Sequence, residues 1–374
     1  MPSAPPRVCA VDERVRARTL GVELGLLPTG PLNALTDVAG VRVGHTTLLE
    51  DRVDASGREV AVRTGVTVVL PGELDPYLER PAASAFVLNG AGELGGLAQI
   101  LEWGCLETPI GLTNTFGVPV VADALVDWTL DRHPGVGRGL DVVIPAVGEC
   151  DDSWLNDIVG RHVRPEHVRA ALDSATGGPV ALGAVGAGTG MVTYGLKGGI
   201  GSSSRRVEDR RGGFTVGVLV QTNFGILGDL RFGGLPVGRR LVEALGHEGA
   251  LRRHHGSVII VLATDAPMNA HQLQRLCRRA ALGIARTGAF AAHASGEIVL
   301  GFSTTHRSPR LESGPVRSSL VVTDAALDDL FRAAIEATEE AILDSLCAAT
   351  TIVGRDGHRA EALPLDTLRA CLAR

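Results

Sequence analysis

Short apolar runs rich in β-branched residues alternate along this chain with segments of helical periodicity, and this alternation limits the possible folds. The runs predict buried strands at 66–70, 141–147, 214–222, 257–264, 297–303 and 318–323. The helical patterns lie at 92–103, 120–131, 164–174, 235–246, 269–286 and 324–348. Strands interleaved with helices in this way indicate an α/β or α+β fold in which helices cover the sheets.

Composition and charge narrow the class of protein. The 374 residues carry a net charge of −6 and 3% aromatic residues, which argues against a nucleic-acid-binding surface. No apolar run reaches the roughly 18 residues of a membrane span, and the N-terminal segment lacks the apolar stretch of a secretory signal. The six cysteines form no CxxC pair, and their scatter is typical of a protein of the reducing cytoplasm.

Nucleotide and metal motifs are absent from the sequence. Glycine is densest at 183–201, but its spacing there matches neither GxGxxG nor GxxxxGK[ST]. There is no HExxH motif, and the adjacent His254 and His255 would point to opposite faces of a strand. We therefore expect no metal and no cofactor. By composition, 1–20 is expected to be a loose N-terminal arm, 202–213 an exposed loop and 246–256 a loop.

Three residues at strand entries carry groups suited to nucleophilic chemistry. Ser257 follows Gly256 where a polar segment meets the most apolar run. A cut between them would give Ser257 a free amine of pKa about 8, able to act as a base on its own hydroxyl. Ser295 and Glu297 point the same way in extended backbone and can relay a proton. An ordinary strand entry and a solvent-facing acid remain the alternative interpretations.

Two further strand ends carry polar side chains. Asn223 precedes Phe224 and Gly225, where its amide can donate to a developing oxyanion or hold a turn through its own backbone. Glu149 lies with Asp151 and Asp152 in a cluster of acids, which can bind a substrate ammonium group or lie in a solvated loop.

Several segments stand out when they are taken in chain order: TDVAGVRVGHTT (36–47), LNGAGELGG (88–96), GLTNT (111–115), GECDDSWLND (148–157), YGLKGGIGSSSR (194–205), VQTNFG (220–225), SVIIVLATDAP (257–267), HQLQRLCRRAALGIARTG (271–288), SGEIVLGFST (295–304) and GRDGH…LPLD (354–366). Together they span about residues 30–370 and resemble the self-processing aminopeptidases of the DmpA/BapA type. That group is peptidase family S58, with L-aminopeptidase/D-amidase-esterase and β-aminopeptidase members.

The resemblance implies a fold and a processing event. The fold is a four-layer αββα sandwich, forming a single catalytic domain over 1–374. Self-cleavage between Gly256 and Ser257 gives an α chain, 1–256, and a β chain, 257–374, which stay together. The implied site roles are nucleophile for Ser257, hydrogen-bonded partners for Ser295 and Glu297, oxyanion donor for Asn223 and amino-group binding for Glu149.

The resemblance also implies an activity. It is that of a self-processing serine aminopeptidase or amidase, which removes amino-terminal residues from short peptides, amides or esters through an acyl-enzyme. It needs no cofactor, and the αβ units are expected to form a homo-oligomer in the cytoplasm. The alternatives are an acyltransferase of the ornithine-acetyltransferase type, an oligoamide hydrolase of the same fold and a scaffold without catalysis.

The sequence departs from the family at one point. Some members of the family use a tyrosine, in the segment that matches 148–157, as a second oxyanion donor. Here that stretch reads Cys150-Asp151-Asp152, with Trp154 as its aromatic residue. A carboxylate at the oxyanion would oppose the developing charge, so the second donor is left unassigned.

Overall fold

The computed structural model describes residues 14–208, 213–246 and 255–373. Its strands are β1 (Val41–Val53), β2 (Glu59–Pro71), β3 (Glu79–Gly90), β4 (Leu94–Gly95), β5 (Ile110–Asn114), β6 (Ala146–Cys150), β7 (Val192–Thr193), β8 (Leu196–Lys197), β9 (Ile200–Val207), β10 (Phe214–Asn223), β11 (Arg231–Phe232), β12 (Leu235–Pro236), β13 (His255–Thr264), β14 (Ala294–Pro309), β15 (Ile352–Val353) and β16 (Arg359–Ala360). Its helices are α1 (Leu97–Trp103), α2 (Val118–Arg132), α3 (Pro165–Asp173), α4 (Gly238–Leu245), α5 (Ala270–Arg286), α6 (Leu327–Cys347) and α7 (Leu365–Leu372).

Two five-stranded sheets form the centre of the molecule. The first sheet has the order β1-β2-β5-β6-β4, and the second has the order β3-β14-β13-β10-β9. Each contains one parallel pair, β5–β6 in the first and β13–β14 in the second. A parallel pair needs a crossover, and the crossovers here contain α2 and α5 respectively.

The sheets stack face to face because their apolar side chains alternate along each strand. On β13, Ile259 and Val261 pack between the two sheets, whereas Val258 and Ile260 pack towards the helices. α2 and α3 cover the outer face of the first sheet, and α5 and α6 cover that of the second. These four layers confirm the predicted αββα sandwich.

α5 begins at a capping box formed by Asn269 and Gln272. The Asn269 side chain accepts a hydrogen bond from the Gln272 amide, and the Gln272 side chain accepts one from the Asn269 amide. The helix therefore starts after the short connection 265–269 that follows β13, and this start fixes how the chain crosses to β14. None of the helices in the described part of the chain is long and apolar enough to cross a membrane.

The prediction that 202–213 is an exposed loop is wrong for its first half. Residues 200–207 form β9, and Ser202, Ser203 and Ser204 are buried. Their hydroxyls all find acceptors, as when Ser203 donates to the Ala337 carbonyl at 2.6 Å. Buried hydroxyls are tolerated when they are hydrogen-bonded, so polar composition did not mean exposure. Residues 209–212 lie outside the described residues.

Buried ion pairs also correct the expectation of a loose N-terminal arm. Arg205, fully buried on β9, donates to Glu340 of α6 at 2.6 Å. Arg18 donates to the same carboxylate at 2.7 Å, and Arg16 donates to Asp344 at 2.7 Å. The segment from residue 14 to residue 20 is thereby attached to α6. Residues 1–13, and 247–254 of the second predicted loop, are not among those described.

Two predicted strands differ from the structure. The 141–147 run becomes a strand only from Ala146, because Pro145 before it has no amide hydrogen to offer a neighbouring strand. The 318–323 run is not a strand, and Leu320 is 84% exposed. In that run Val322 is buried, and its amide donates to the Pro267 carbonyl near the start of α5. The run thus follows the protein surface instead of joining a sheet.

Candidate active site

Ser257 lies on the central strand of the second sheet, on the face turned towards the first sheet. It is 4% exposed, and its strand neighbours are Asn223 on β10 and Gly296 on β14. The Ser257 side chain lies beside the thiol of Cys150, the last residue of β6, and that thiol donates to the Gln221 carbonyl at 3.5 Å. Ser257 is therefore enclosed between the two sheets, at the end where β10 stops.

Gly256 passes against the backbone of the β10 end. A Cβ at this position would lie 2.5 Å from the Asn223 carbonyl oxygen and 2.8 Å from the Phe224 Cα. Both are backbone atoms that cannot rotate away, so the close approach requires glycine. The bond between Gly256 and Ser257 is thereby held tightly beside Asn223.

The Asn223 amide is oriented by two backbone groups. Its Oδ1 accepts a hydrogen bond from the Val192 amide at 2.9 Å, and its Nδ2 donates to the Asp151 carbonyl at 2.8 Å. A primary amide carries two N–H donors, so one hydrogen remains available beside Ser257.

Glu149 on β6 presents a buried carboxylate near Ser257. It is 4% exposed; Oε1 accepts from the Glu93 amide at 2.9 Å, and Oε2 accepts from the Thr115 hydroxyl. Burial raises the pKa of this carboxyl, and the hydrogen bonds from Thr115 and the Glu93 amide oppose that rise. A cation placed beside the carboxylate would compensate the cost of burying its charge.

These groups share one cavity of about 900 Å³. Ser257, Asn223 and Glu149 all line it, together with apolar side chains such as Trp154 and Val159. A cavity of this volume accommodates a small organic ligand or a short peptide. The structure thus brings together three of the predicted site residues.

Ser295 and Glu297 lie on β14, one strand away from Ser257, but on the other face of the sheet. Their strand partners are Gly256 and Val258, so their side chains lie on the face covered by helices. The Ser295 hydroxyl donates to Glu297, and both residues line a small cavity beside Phe224. Among the described residues, no hydrogen bond joins this pair to Ser257.

Burial raises the pKa of the Glu297 carboxyl, and the Ser295 hydrogen bond opposes that rise. The second oxygen, Oε2, is buried and has no hydrogen-bond partner within the described structure. An unpartnered buried oxygen is costly, so the pair is poised to accept a further donor.

Comparison with known proteins places the chain in a family. The sequence model of peptidase family S58 matches residues 33–360. The beta-peptidyl aminopeptidase BapA of Sphingosinicella xenopeptidilytica is 42% identical, over 94% of this chain and 90% of that protein. The chain belongs to peptidase family S58. The sequence-based prediction of that family, and of an aminopeptidase-type hydrolase, is confirmed.

Two solved structures share the fold. A Burkholderia sp. beta-aminopeptidase is 41% identical with a TM-score of 0.88, over 96% of this chain and 98% of that one. The L-aminopeptidase D-Ala-esterase/amidase of Ochrobactrum anthropi, described as a variant of the Ntn-hydrolase fold, is 38% identical with the same TM-score and coverage. This S58 chain therefore has the fold of the serine aminopeptidases.

This S58 chain departs from the family pattern at 150–152, but the Asp152 carboxylate of that stretch does not face Ser257. Asp152 is fully buried and accepts hydrogen bonds from the Asn114 and Asn156 side chains, each at 3.0 Å. Burial raises the pKa of Asp152 to about 7. The side chain of this stretch that lies beside Ser257 is Cys150, whose thiol donates to the Gln221 carbonyl at 3.5 Å.

Lys197, the single lysine of the sequence, is fully buried behind the site. Its ammonium donates to the carbonyls of Gly188, Met191 and Gly198 at 2.7–3.0 Å. It thereby fixes the turn that carries the Val192 amide, the donor to Asn223. Lys197 is a positioning residue for the site, a role that the sequence did not indicate.

Thr115 and Arg355 are two further residues at the site that sequence reasoning did not assign. Thr115 lies in the GLTNT segment and holds Glu149. Arg355 lies in the GRDGH segment and lines the cavity. Both segments carried the family resemblance, and their polar residues were the available signal.

Proposed function

We propose that this protein cleaves itself between Gly256 and Ser257 and then uses Ser257 to hydrolyse short peptides, amides or esters with a free amino terminus. The observation that carries the proposal is the single cavity lined by Ser257, Asn223 and Glu149. It combines a nucleophile, an oxyanion donor and a buried anion for the substrate amine.

Self-cleavage begins with attack of the Ser257 hydroxyl on the Gly256 carbonyl. The amide bond breaks, its nitrogen takes the hydroxyl proton, and Gly256 becomes an ester on the Ser257 oxygen. Water opens the ester, leaving a carboxylate on Gly256 and the Ser257 hydroxyl with a free α-amine. Because β13 lies between β14 and β10, the chains 1–256 and 257–374 remain in one sheet as one catalytic domain.

Substrate hydrolysis repeats the same steps with an external carbonyl. The Ser257 amine takes the proton from the hydroxyl, whose oxygen attacks the substrate carbonyl, and the developing oxyanion accepts a hydrogen bond from Asn223. The leaving amine departs with that proton, and water then releases the acyl group. One such donor contributes roughly 3 kcal/mol in well-studied hydrolases.

Ser295 and Glu297 are proposed to tune the protonation of the freed amine. The bond that is cut lies beside Ser295, the strand partner of Gly256. A new amine at this position is near the buried carboxylate of Glu297, whose Oε2 has no other partner among the described residues. Ser295 and Glu297 then act on the amine from one face of the sheet. The Ser257 hydroxyl lies on the opposite face, beside Cys150.

The amino terminus of the substrate is proposed to bind Glu149. We expect a Glu149→Gln substitution to lower kcat/KM for an aminoacyl p-nitroanilide by about 10- to 100-fold, because a charge-assisted hydrogen bond is lost. The relatives named as beta-peptidyl aminopeptidases make β-alanine p-nitroanilide the first substrate to test.

The matched control is Glu102→Gln, at an exposed position on α1. It should leave kcat/KM unchanged, and N-acetylation of the substrate should abolish hydrolysis by the unmodified enzyme. Equal activity of the Glu149→Gln and unmodified enzymes, or rapid hydrolysis of the acetylated substrate, would contradict amine recognition by Glu149. Transfer of the acyl group to an added amine without net hydrolysis would favour the acyltransferase alternative.

The raised pKa of Glu297 predicts a pH effect. As the pH falls through a pKa above 4.5, the carboxylate is protonated and no longer accepts as a charged group, so activity decreases. Below that pH, log kcat/KM of the unmodified enzyme should fall one unit per pH unit more steeply than that of Glu297→Gln. At higher pH, where kcat/KM no longer changes with pH, kcat/KM of the unmodified enzyme should exceed that of Glu297→Gln by about 100-fold. Parallel acid limbs would refute this role; Glu166→Gln, exposed on α3, is the control.

The αβ units are further proposed to assemble into a homo-oligomer in the cytoplasm. Exposed apolar side chains, among them Val316 at 88% and Leu320 at 84%, supply an interaction surface. The five described cysteines are free and buried, which suits a reducing compartment.

A further inference from the structure

The cavity of about 900 Å³ carries opposite charges at different places. Glu149, Glu93 and Asp151 are its acidic lining residues, and Arg355 is its basic one, as far as the described lining extends. A ligand with a positive and a negative end would therefore match the cavity better than a singly charged one.

The Glu149 carboxylate and the Arg355 guanidinium lie on opposite sides of Ser257. On one side is its strand neighbour Gly296, whose Cα is 3.6 Å from the position of a Cβ on Gly92. That same Cβ position is 3.3 Å from Oε1 of Glu149. This side therefore leads from the nucleophile directly to the amine-binding carboxylate.

The other side leads to Arg355. Asn223, the other strand neighbour of Ser257, donates to the Asp151 carbonyl at 2.8 Å. Two residues further along, the Ser153 carbonyl accepts a hydrogen bond from Nε of Arg355 at 2.5 Å. With a substrate amine at Glu149 and the substrate carbonyl at Ser257, the leaving group would extend towards the guanidinium.

Arg355 is held in place by hydrogen bonds from two of its three guanidinium nitrogens. Its Nη1 pairs with Asp356 at 2.9 Å, but that carboxylate is 69% exposed, so water screens its charge. Nη2 has no hydrogen-bond partner in the described part of the protein. The neighbouring His358 ring stacks on Trp154 with centroids 3.6 Å apart, which fixes the turn carrying the arginine against the cavity wall.

We propose that Arg355 binds the free α-carboxylate of the leaving amino acid, so that the preferred substrates are dipeptides and not amides or esters. This rests on the proposed function, because it needs Ser257 and Glu149 in their assigned roles. The guanidinium offers charge-assisted hydrogen bonds to a carboxylate, and Trp154 and Val159 line the space for an apolar leaving side chain.

The test compares a dipeptide with its C-terminal amide, β-alanyl-leucine and β-alanyl-leucinamide, on the self-cleaved enzyme. The ratio of kcat/KM for the acid to that for the amide should exceed 1 and should fall at least about 10-fold in Arg355→Gln, mainly through KM. Arg355→Lys should recover part of the ratio. Arg359→Gln, at an exposed position in the same turn, should leave the ratio unchanged.

A merely structural role for Arg355 predicts equal losses on both substrates, and that outcome, or an unchanged ratio, would overturn the proposal. Calorimetric titration of Ser257→Ala protein with the two compounds separates this result from a failure of the proposed hydrolysis. There the acid should bind at least about 10-fold more tightly than the amide, and adding Arg355→Gln should remove the difference. Equal affinities would refute carboxylate recognition whether or not the unmodified enzyme turns over.

Discussion

Ser257→Ala protein should remain a single chain of 39.0 kDa and lose peptidase activity by roughly 10⁵- to 10⁶-fold. The substitution removes the oxygen that attacks both the Gly256 carbonyl and the substrate carbonyl. The fold should persist, because alanine fits wherever serine does and the substitution removes a single small polar atom. The measurements are mass spectrometry under denaturing conditions and initial rates on an aminoacyl p-nitroanilide.

Two further variants make the Ser257 result specific. Ser257→Thr keeps a hydroxyl and should be cut, at a reduced rate because the added methyl enters a 4%-exposed position. Ser174→Ala, at the end of α3 in the outer helical layer, should be cut and active like the unmodified enzyme. A cut and active Ser257→Ala protein would remove Ser257 from the mechanism.

Gly256→Val is expected to block self-cleavage and, with it, nearly all activity. The new side chain would begin 2.5 Å from the Asn223 carbonyl oxygen, so the backbone must shift and carry the scissile bond away from its position. Overpacking of this kind costs about 1–3 kcal/mol of folding free energy. Urea unfolding should report that loss, and the mass of the purified protein should report the uncut chain.

The matched control is Gly314→Val, at an exposed glycine where an added Cβ would meet no atom within 4 Å. It should be cut at the normal rate and unfold at the normal urea concentration. Normal cleavage of Gly256→Val would mean that the close approach to Asn223 does not position the scissile bond.

Apolar patterning predicted the core strands well and the polar strand poorly. The runs at 214–222 and 257–264 became β10 and β13, because uninterrupted β-branched residues are typical of strands buried on both faces. β9 was missed because Ser202, Ser203 and Ser204 are buried through hydrogen bonds to partners distant in sequence. Those partners follow only from the three-dimensional fold.

The site was predicted in its components but not in its arrangement. The family resemblance named Ser257, Asn223 and Glu149, and the structure places all three on one cavity. The resemblance also predicted Ser295 and Glu297 as hydrogen-bonded partners of Ser257, a role that stays a prediction. Which face of the sheet a side chain occupies depends on strand register, which a sequence does not specify.

The position of Arg355 at the cavity could not be predicted from the sequence. Arg355 reaches Ser153 across 202 positions of sequence, through the packing of a short two-stranded turn against the 148–157 segment. Contacts of this length have no local signature, so the arginine looked like any other in an arginine-rich chain.

The intact mass of the freshly purified, unmodified protein under denaturing conditions tests the central claim most directly. Self-cleavage ahead of Ser257 predicts two species of roughly 27 and roughly 12 kDa, since 39.0 kDa divides between chains of 256 and 118 residues, the smaller beginning at Ser257. A single 39.0 kDa species in a preparation that hydrolyses aminoacyl amides would contradict the account, because Ser257 would then act without a free amine.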